Sequence, residues 1–426
     1  MEQPITADDI SRDLIHFIAK SPSTFHAVRG IKAALLYAGF TEIREEDPWQ
    51  IEKGGKYVVT RNGSALMAFT VPEEGAEAFH ITASHCDSPT FKIKENPEIA
   101  DGPYVKLNVE GYGGMIMSTW LDRPLSVAGR LLVTENGHLA EKIVAIDGTM
   151  LVIPSVAIHM DRSVNQHKEW KVQKDMLPLY GMTGAKTPFM DVIAAAAKVK
   201  AEDILAHDLT LYSRVPAAIW GEEREFISSP KLDDLQCAFA CFRGFTQGQK
   251  EKYISVYALF DNEEVGSATS QGAGSTFLAN TLERLARSLG YSYDETMAMI
   301  ARSFMISADN AHSVHPNHPE YADPVNRPVI NGGIVIKYSA AQKYATNAFS
   351  AAYFKKLCKD HDIPTQTFTN HSDNPGGSTL GNISNTRVAM PTVDIGLPQL
   401  AMHSSYETAG VKDTAYLVDA VTKFYE

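Results

Sequence analysis

The chain is poor in cysteine, and the few it has are not placed for use as ligands or staples. Cys86, Cys237, Cys241 and Cys358 are the only four in 426 residues, and their spacing fits neither a disulfide framework nor a zinc knuckle. Metal chemistry must therefore rest on histidine and carboxylate, and a reducing cytoplasm is the expected compartment. Cys237 and Cys241, four apart on an expected helix, read as core thiols rather than a metal pair. Long apolar runs are missing too. Nothing approaches the roughly 20 residues that span a bilayer, so no membrane partner is expected. Met1-Glu2-Gln3-Pro4 lacks the basic and apolar regions of a signal peptide. Basic blocks are absent, and with a net charge of −12 a nucleic-acid partner is not expected. Repeats, heptads and low-complexity linkers are absent as well. Gly111-Tyr112-Gly113-Gly114 and Gly272-Ala273-Gly274 lack the strand-to-helix setting of a phosphate cradle and read as turns.

What is present is a globular composition, 44% hydrophobic and 21% charged, on a chain long enough for about two or three domains. The spacing of Ile10, Leu14, Phe17 and Ile18 predicts a helix over 7–20 with Thr6 as N-cap, and a second helix over 24–38 ends at Gly39. Runs 57–60 and 65–70 flank Asn62-Gly63, a hairpin signal. Residues 79–84 form a strand running into His85. Between about 91 and 228 short alternating segments, broken by Gly, Pro and Asn, predict a β-rich module inserted into the rest. From 229 onward strands near 253–260, 304–308, 334–338, 365–369 and 391–395 alternate with helices near 233, 275–289, 293–302, 347–361 and 411–425. The fold class expected is α/β: a mixed sheet flanked by helices, made of residues 1–90 and 229–426, with 91–228 inserted.

The chemistry-bearing residues collect at the ends of these elements. Asp261-Asn262-Glu263-Glu264 follows a buried strand, where α/β sheets build their sites. Alone it reads first as a solvated acidic turn. His85 and Asp87 share one strand face, so a carboxylate can orient an imidazole there; a structural pair gives the same pattern. Asp233-Asp234 stands at a helix start, as an acidic first turn also would. Asp309, His312 and His315 follow another strand, and His403 follows a fourth. Together, His85, Asp233, Glu263 or Glu264, Asp309 and His403 form an N/O donor set that suits zinc. Five ligands can hold two ions with one carboxylate shared, leaving one glutamate as general base for attack by water.

At these residues the chain resembles the aspartyl aminopeptidase family of dinuclear zinc exopeptidases. The matching segments are 83–89, 232–235, 260–267, 307–317, 376–381 and 402–404, in family order across most of the chain. The resemblance implies a zinc-peptidase α/β domain with an inserted β-rich dimerisation domain. It implies two Zn2+ per subunit, with Mn2+ or Co2+ as substitutes. One ion would be held by His85 and Asp309 and the other by Glu264 and His403, with Asp233 bridging. Asp87 would orient His85, and Glu263 would be the catalytic base. His159 would reach a neighbouring subunit's site, and His312, Lys337 and Tyr344 would line the substrate pocket. Lys337, otherwise a solvated strand end, would pair with an acidic N-terminal side chain of a peptide substrate. A homo-oligomer is implied, a dodecamer built from dimers.

Two positions depart from the family pattern. Asp234 stands where Asn is expected, and Asn374-Pro375-Gly376-Gly377 replaces a segment that carries cysteine in some relatives. Two alternatives stay open from sequence: a related two-metal deacylase or carboxypeptidase, and a non-catalytic assembly module. The second would be expected to lose a ligand or the base, and none is missing here.

Overall fold

The computed structural model describes residues 5–184, 187–248, 252–374 and 376–426; Met1–Pro4 and Pro375, on which two of the readings above fall, lie outside them. Nine strands form the central sheet, in the spatial order Thr41–Glu42, Lys56–Arg61, Ala65–Thr70, Tyr253–Phe260, Ala78–His85, Phe304–Ala308, Thr392–Gly396, Ile334–Tyr338 and Thr365–Thr369. The middle four run parallel. Phe260 pairs with His85 across the first of these ladders, so the strand ends that carry the acidic and histidine motifs emerge on one edge. The β-rich runs explain why both sheet faces are apolar. Tyr257 and Leu259 pack into one core, while Ile254, Val256, Ala258 and Phe260 pack into the other, the period of two that a strand imposes. Helices Ala7–Ala19, Leu232–Gln247 and Val411–Tyr425 cover the first face, and Phe277–Ser288 covers the second.

The local signals act as read. Thr6 accepts from the Asp9 amide in a capping box. Asn62 and Gly63 both take positive φ, 52° and 65°, as a tight hairpin turn requires. The stretch read as β-rich supplies a separate antiparallel sheet, in the order His138–Ala145, Leu125–Glu135, Ile204–Ser213, Thr90–Asp101, Tyr104–Tyr112 and Leu179–Met182. It has its own core around Phe91, Trp120, Leu131 and Phe189. A third sheet gave no sequence signal. Its strands, Ala218–Trp220, Phe226–Ser229, Glu407–Gly410, Pro398–Leu400 and Ala311–His312, are too short to show periodicity. They tie residues 218–229, at the end of the β-rich stretch, to the segments that carry His312 and His403.

Candidate metal centre

His85 ends a fully buried strand, and its Nδ1 lies 3.3 Å from Asp87 Oδ1. Asp87 does more than face the imidazole. Its two oxygens accept the backbone N–H groups of Glu263 and Glu264, each at 3.1 Å. Tyr112, from the β-rich sheet, donates its hydroxyl to the same carboxylate at 2.7 Å. One buried carboxylate thus fixes the ring of His85 and the loop that presents both glutamates. Burial works against the charged form of Asp87, but His85 above all, then Tyr112 and the Glu264 amide, hold its pKa below the ordinary carboxylate value.

Asp233 and Asp234 sit where the sequence suggested an acidic first helical turn. They are instead non-helical, with ψ of 109° and 19° and a cis peptide between them. Both side chains lie in the interior, 3% and 0% exposed. Asp234 Oδ2 accepts the His85 amide at 3.1 Å. Asp233 stands between two imidazoles, 3.5 Å from His85 Nε2 and 3.4 Å from His403 Nε2. His403 also lies 3.2 Å from Glu264 Oε2. Its φ of 65° is left-handed and unusual for a residue with a Cβ, and it is held by Glu407, which accepts both the His403 and the Asp233 amides at 2.8 and 3.0 Å. Two glycines permit this crowding. A Cβ on Gly113 would meet Glu264 Cβ at 3.1 Å, and one on Gly396 would meet the Asp309 carbonyl oxygen at 2.0 Å.

The donor atoms fall into three overlapping groups, each within 4.8 Å: His85, Asp233, Asp234 and Asp309; His85, Glu263 and Glu264; and Asp233, Glu264 and His403. His85, Asp233 and Glu264 each belong to two of them. The residues fit a divalent cation on their own terms. Asp233 Oδ1, Asp234 Oδ1 and Glu264 Oε1 are buried without a hydrogen-bond partner among the described residues, which is costly unless positive charge faces them. The titration shifts show the same uncompensated charge. Burial, then Asp233, drives Glu264 well above the carboxylate range. Burial pushes Glu263 up to about 8, with Asp309, Asp87 and Asp233 adding to it against the pull of His85. His403 is disfavoured as a cation by burial, yet Asp233 raises it to about 9.

That last shift carries a prediction. An imidazole must lose its proton to bind a metal, so below pH 9 zinc competes with the proton on His403. Apparent zinc affinity of the stripped protein should rise by at least about tenfold per pH unit between pH 7 and 9, with proton release on binding, since His85 and Glu264 are shifted upward too and must also be deprotonated to bind. A flat profile in competition with a chelator would refute it.

The remaining sequence candidates are spread out. His312 lies on the short strand Ala311–His312, its ring 6.0 Å from that of Phe368. Lys337 is not a solvated strand end: it is buried, with Nζ 3.6 Å from Asp309 Oδ1 and 5.6 Å from the Tyr344 ring. Tyr344 packs with Phe368, Val335 and Ala311. His159 occupies an exposed turn and joins none of the three groups. Sequence reading missed Tyr112 and Glu407. Tyr112 is distant in sequence, and an acid four residues beyond His403 carries no local signal. Asp261 is buried next to the site but outside the donor groups.

Comparison with known proteins agrees with this geometry. The family model for "Aminopeptidase I zinc metalloprotease (M18)" matches residues 17–425. A probable M18 family aminopeptidase 2 of Clostridium novyi is 46% identical over 97% of this chain and 98% of the relative. The protein of that name in Pseudomonas paraeruginosa is 37% identical over 98% of each. Among solved structures, Ape4 in its complex with Nbr1 superposes with a TM-score of 0.96 at 34% identity, covering 99% of this chain and 86% of the other. The mApe1 dodecamer of S. cerevisiae gives 0.87 at 26% identity, covering 98% and 96%. The chain belongs to the M18, or aminopeptidase I, family of zinc metalloproteases, and its enzyme class is metallo-aminopeptidase.

Proposed function

We propose that this chain removes the N-terminal residue of peptides, with a preference for Asp and Glu, at a centre of two zinc ions bridged by Asp233. The observation that carries this is the place of Asp233 between the two imidazoles, 3.5 Å from His85 Nε2 and 3.4 Å from His403 Nε2. In this reading His85 and Asp309 complete one zinc site and Glu264 and His403 the other; Mn2+ and Co2+ suit the same N/O ligands. Zinc supplies Lewis acidity and a lowered water pKa when bound. Glu263 takes the proton of the attacking water at its carboxylate and returns it to the leaving amine. Asp87 keeps His85 oriented and holds the backbone of both glutamates.

The acidic preference is supported by the cavity next to His403. It has a volume of ≈ 370 Å³, and its wall carries Arg327, His312, His315, His318 and His371 and no carboxylate. That is a basic pocket in a chain of net charge −12. Arg327 has no ion-pair partner among the described residues, so its charge is free for a substrate carboxylate. His312 faces this cavity, and Lys337 and Tyr344 stand behind its wall near Phe368. His159 is taken to serve a neighbouring subunit.

We also propose the division into 1–90 with 229–426 as the metal-binding unit and 91–228 as the inserted unit that pairs subunits. Leu139, Met182 and Leu205 are exposed on the strands of that inserted sheet, which favours a covering partner. A dodecamer of such pairs follows the likeness to the yeast assembly. A cytoplasmic setting fits four free, buried thiols, and among the described residues no helix is long and apolar enough to cross a membrane.

The test is turnover of Asp-, Glu-, Leu- and Lys-terminal dipeptides by metal-stripped and metal-restored protein. Activity should vanish and return with zinc. Arg327→Ala should lower kcat/KM for Asp- and Glu-terminal substrates by about tenfold or more, the range of a hydrogen bond to a charged group, and leave Leu-terminal ones alone. Equal effects on both would remove Arg327 from specificity. Turnover of N-acetylated peptides would turn the reading toward a deacylase.

A further inference from the structure

A second cavity, ≈ 260 Å³, lies on the far side of the Asp87 loop. It is walled by the start of the second helix, by the β-rich sheet and by residues 86–90 and 261–262. Most of the charges on its wall are already committed. Asp208 takes both Lys92 and Arg130. Asp87 takes Tyr112 and two amides, and Glu407 takes two more. Two charges are left over. Lys231 donates to the carbonyl oxygens of Ser21 and Pro22, but among the described residues no carboxylate pairs with it. Asp261, 4% exposed, accepts the Asn262 amide at 2.8 Å and has no cationic partner among them. Lys231 is half-buried, with its Nζ 5.8 Å from the Tyr212 ring; neither it nor buried Asp261 has a group of opposite charge in ion-pair reach among the described residues, and the two do not pair with each other. Trp120, 4% exposed on the same wall, has an indole N–H without a hydrogen-bond partner.

Leaving either charge alone in such a place is unfavourable. Burial, with Asp87 beside it, pushes Asp261 up to about 7. A single small molecule bearing both charges would relieve both at once. The volume is below the about 300–1,000 Å³ of drug-sized pockets, which limits the ligand to amino-acid size. We propose that this cavity binds a free zwitterionic amino acid, its carboxylate on Lys231 and the Trp120 N–H and its ammonium on Asp261. Neither charge belongs to the three donor groups, so the site is distinct from the metal centre. The ligand class rests on these two charges and not on the substrate preference argued above. Because an aminopeptidase releases such zwitterions, occupancy would report product concentration. Its contact with Asp261 lies one residue from Asn262, which donates to the Tyr112 hydroxyl at 2.9 Å and leads into the loop of Glu263.

The experiment is calorimetric titration of the metal-loaded protein with glycine and L-alanine, and with acetate and methylammonium as half-ligands. Both amino acids should bind at least tenfold more tightly than either half-ligand. Lys231→Met and Asp261→Asn should each weaken them at least tenfold. Thr210→Phe, which fills the cavity from the sheet side and touches neither charge, should do the same, and it decides the matter if the charge variants fail to fold. Amino-acid affinity equal in wild type and Thr210→Phe would place binding at the metal centre and overturn the proposal. So would half-ligands that bind as well as glycine, or no binding heat up to millimolar concentration.

Discussion

Glu263→Gln should reduce turnover by about 10²- to 10⁴-fold, the contribution of a positioned general base, while zinc content stays at the wild-type level. Gln keeps the size of Glu and loses only the ability to take a proton. Glu263 is suited to this role by its surroundings rather than by its sequence. Its side chain faces the same space as His85 and Glu264, while Asp87 fixes its backbone from behind. The upward push on its pKa to about 8 comes from burial and from like charges nearby. Bound cations would offset those like charges, so this push belongs to the metal-free protein. The reduced turnover should appear in kcat and kcat/KM together, because the proton transfer belongs to the transition state. If Glu263→Gln turns over normally, another group moves the proton. If it loses zinc as well, Glu263 is a ligand.

Much of this arrangement was legible because it rests on strand ends. His85, Asp261–Glu264 and Asp309 each follow a run of β-branched and apolar residues, and parallel strands bring their carboxyl ends to one edge. What stayed hidden depends on contacts between distant segments. Tyr112 reaches Asp87 from a different sheet, and Glu407 joins two amides that lie far apart in sequence. Neither has a local pattern, since a hydrogen bond to a backbone N–H asks only for an oxygen in the right place. The helix start at Asp233-Asp234 was legible, but its non-helical backbone was not, for a related reason. Acids at a helix start are favourable on local grounds, and only the tertiary fold turns their backbone out of the helix. Lys337 illustrates the limit from the other side. A lysine at a strand end is usually solvated, yet Asp309 and Asp394, two buried carboxylates close to it, hold its ammonium charged in the interior and raise its pKa despite burial.

The substitution expected to damage metal binding most is Asp233→Asn. Altering a residue that merely supports a metal ligand weakens affinity by about 10- to 100-fold, and a shared ligand should exceed that range. Asn keeps the shape but removes a negative charge from both donor groups and turns one oxygen into a donor that cannot ligate. The change also acts on the imidazoles, because Asp233 is what raises His403 to about 9. In the stripped wild-type protein this pairing contributes stability that is complete below pH 6.5, the ordinary histidine value, and is lost as pH rises through about 9. Metal-free Asp233→Asn should therefore melt lower than metal-free wild type near pH 7, and the two should converge above pH 9. Zinc should widen the gap at every pH, since only wild type gains the full binding energy. The pair of measurements separates charge from ligation. A gap near pH 7 without zinc that vanishes in alkali reports the Asp233–His403 pair, and loss of zinc-dependent stabilisation reports the bridge. If Asp233→Asn binds zinc with wild-type affinity and content, Asp233 does not bridge, and Asp234, its buried neighbour with an unpaired oxygen, becomes the residue to replace.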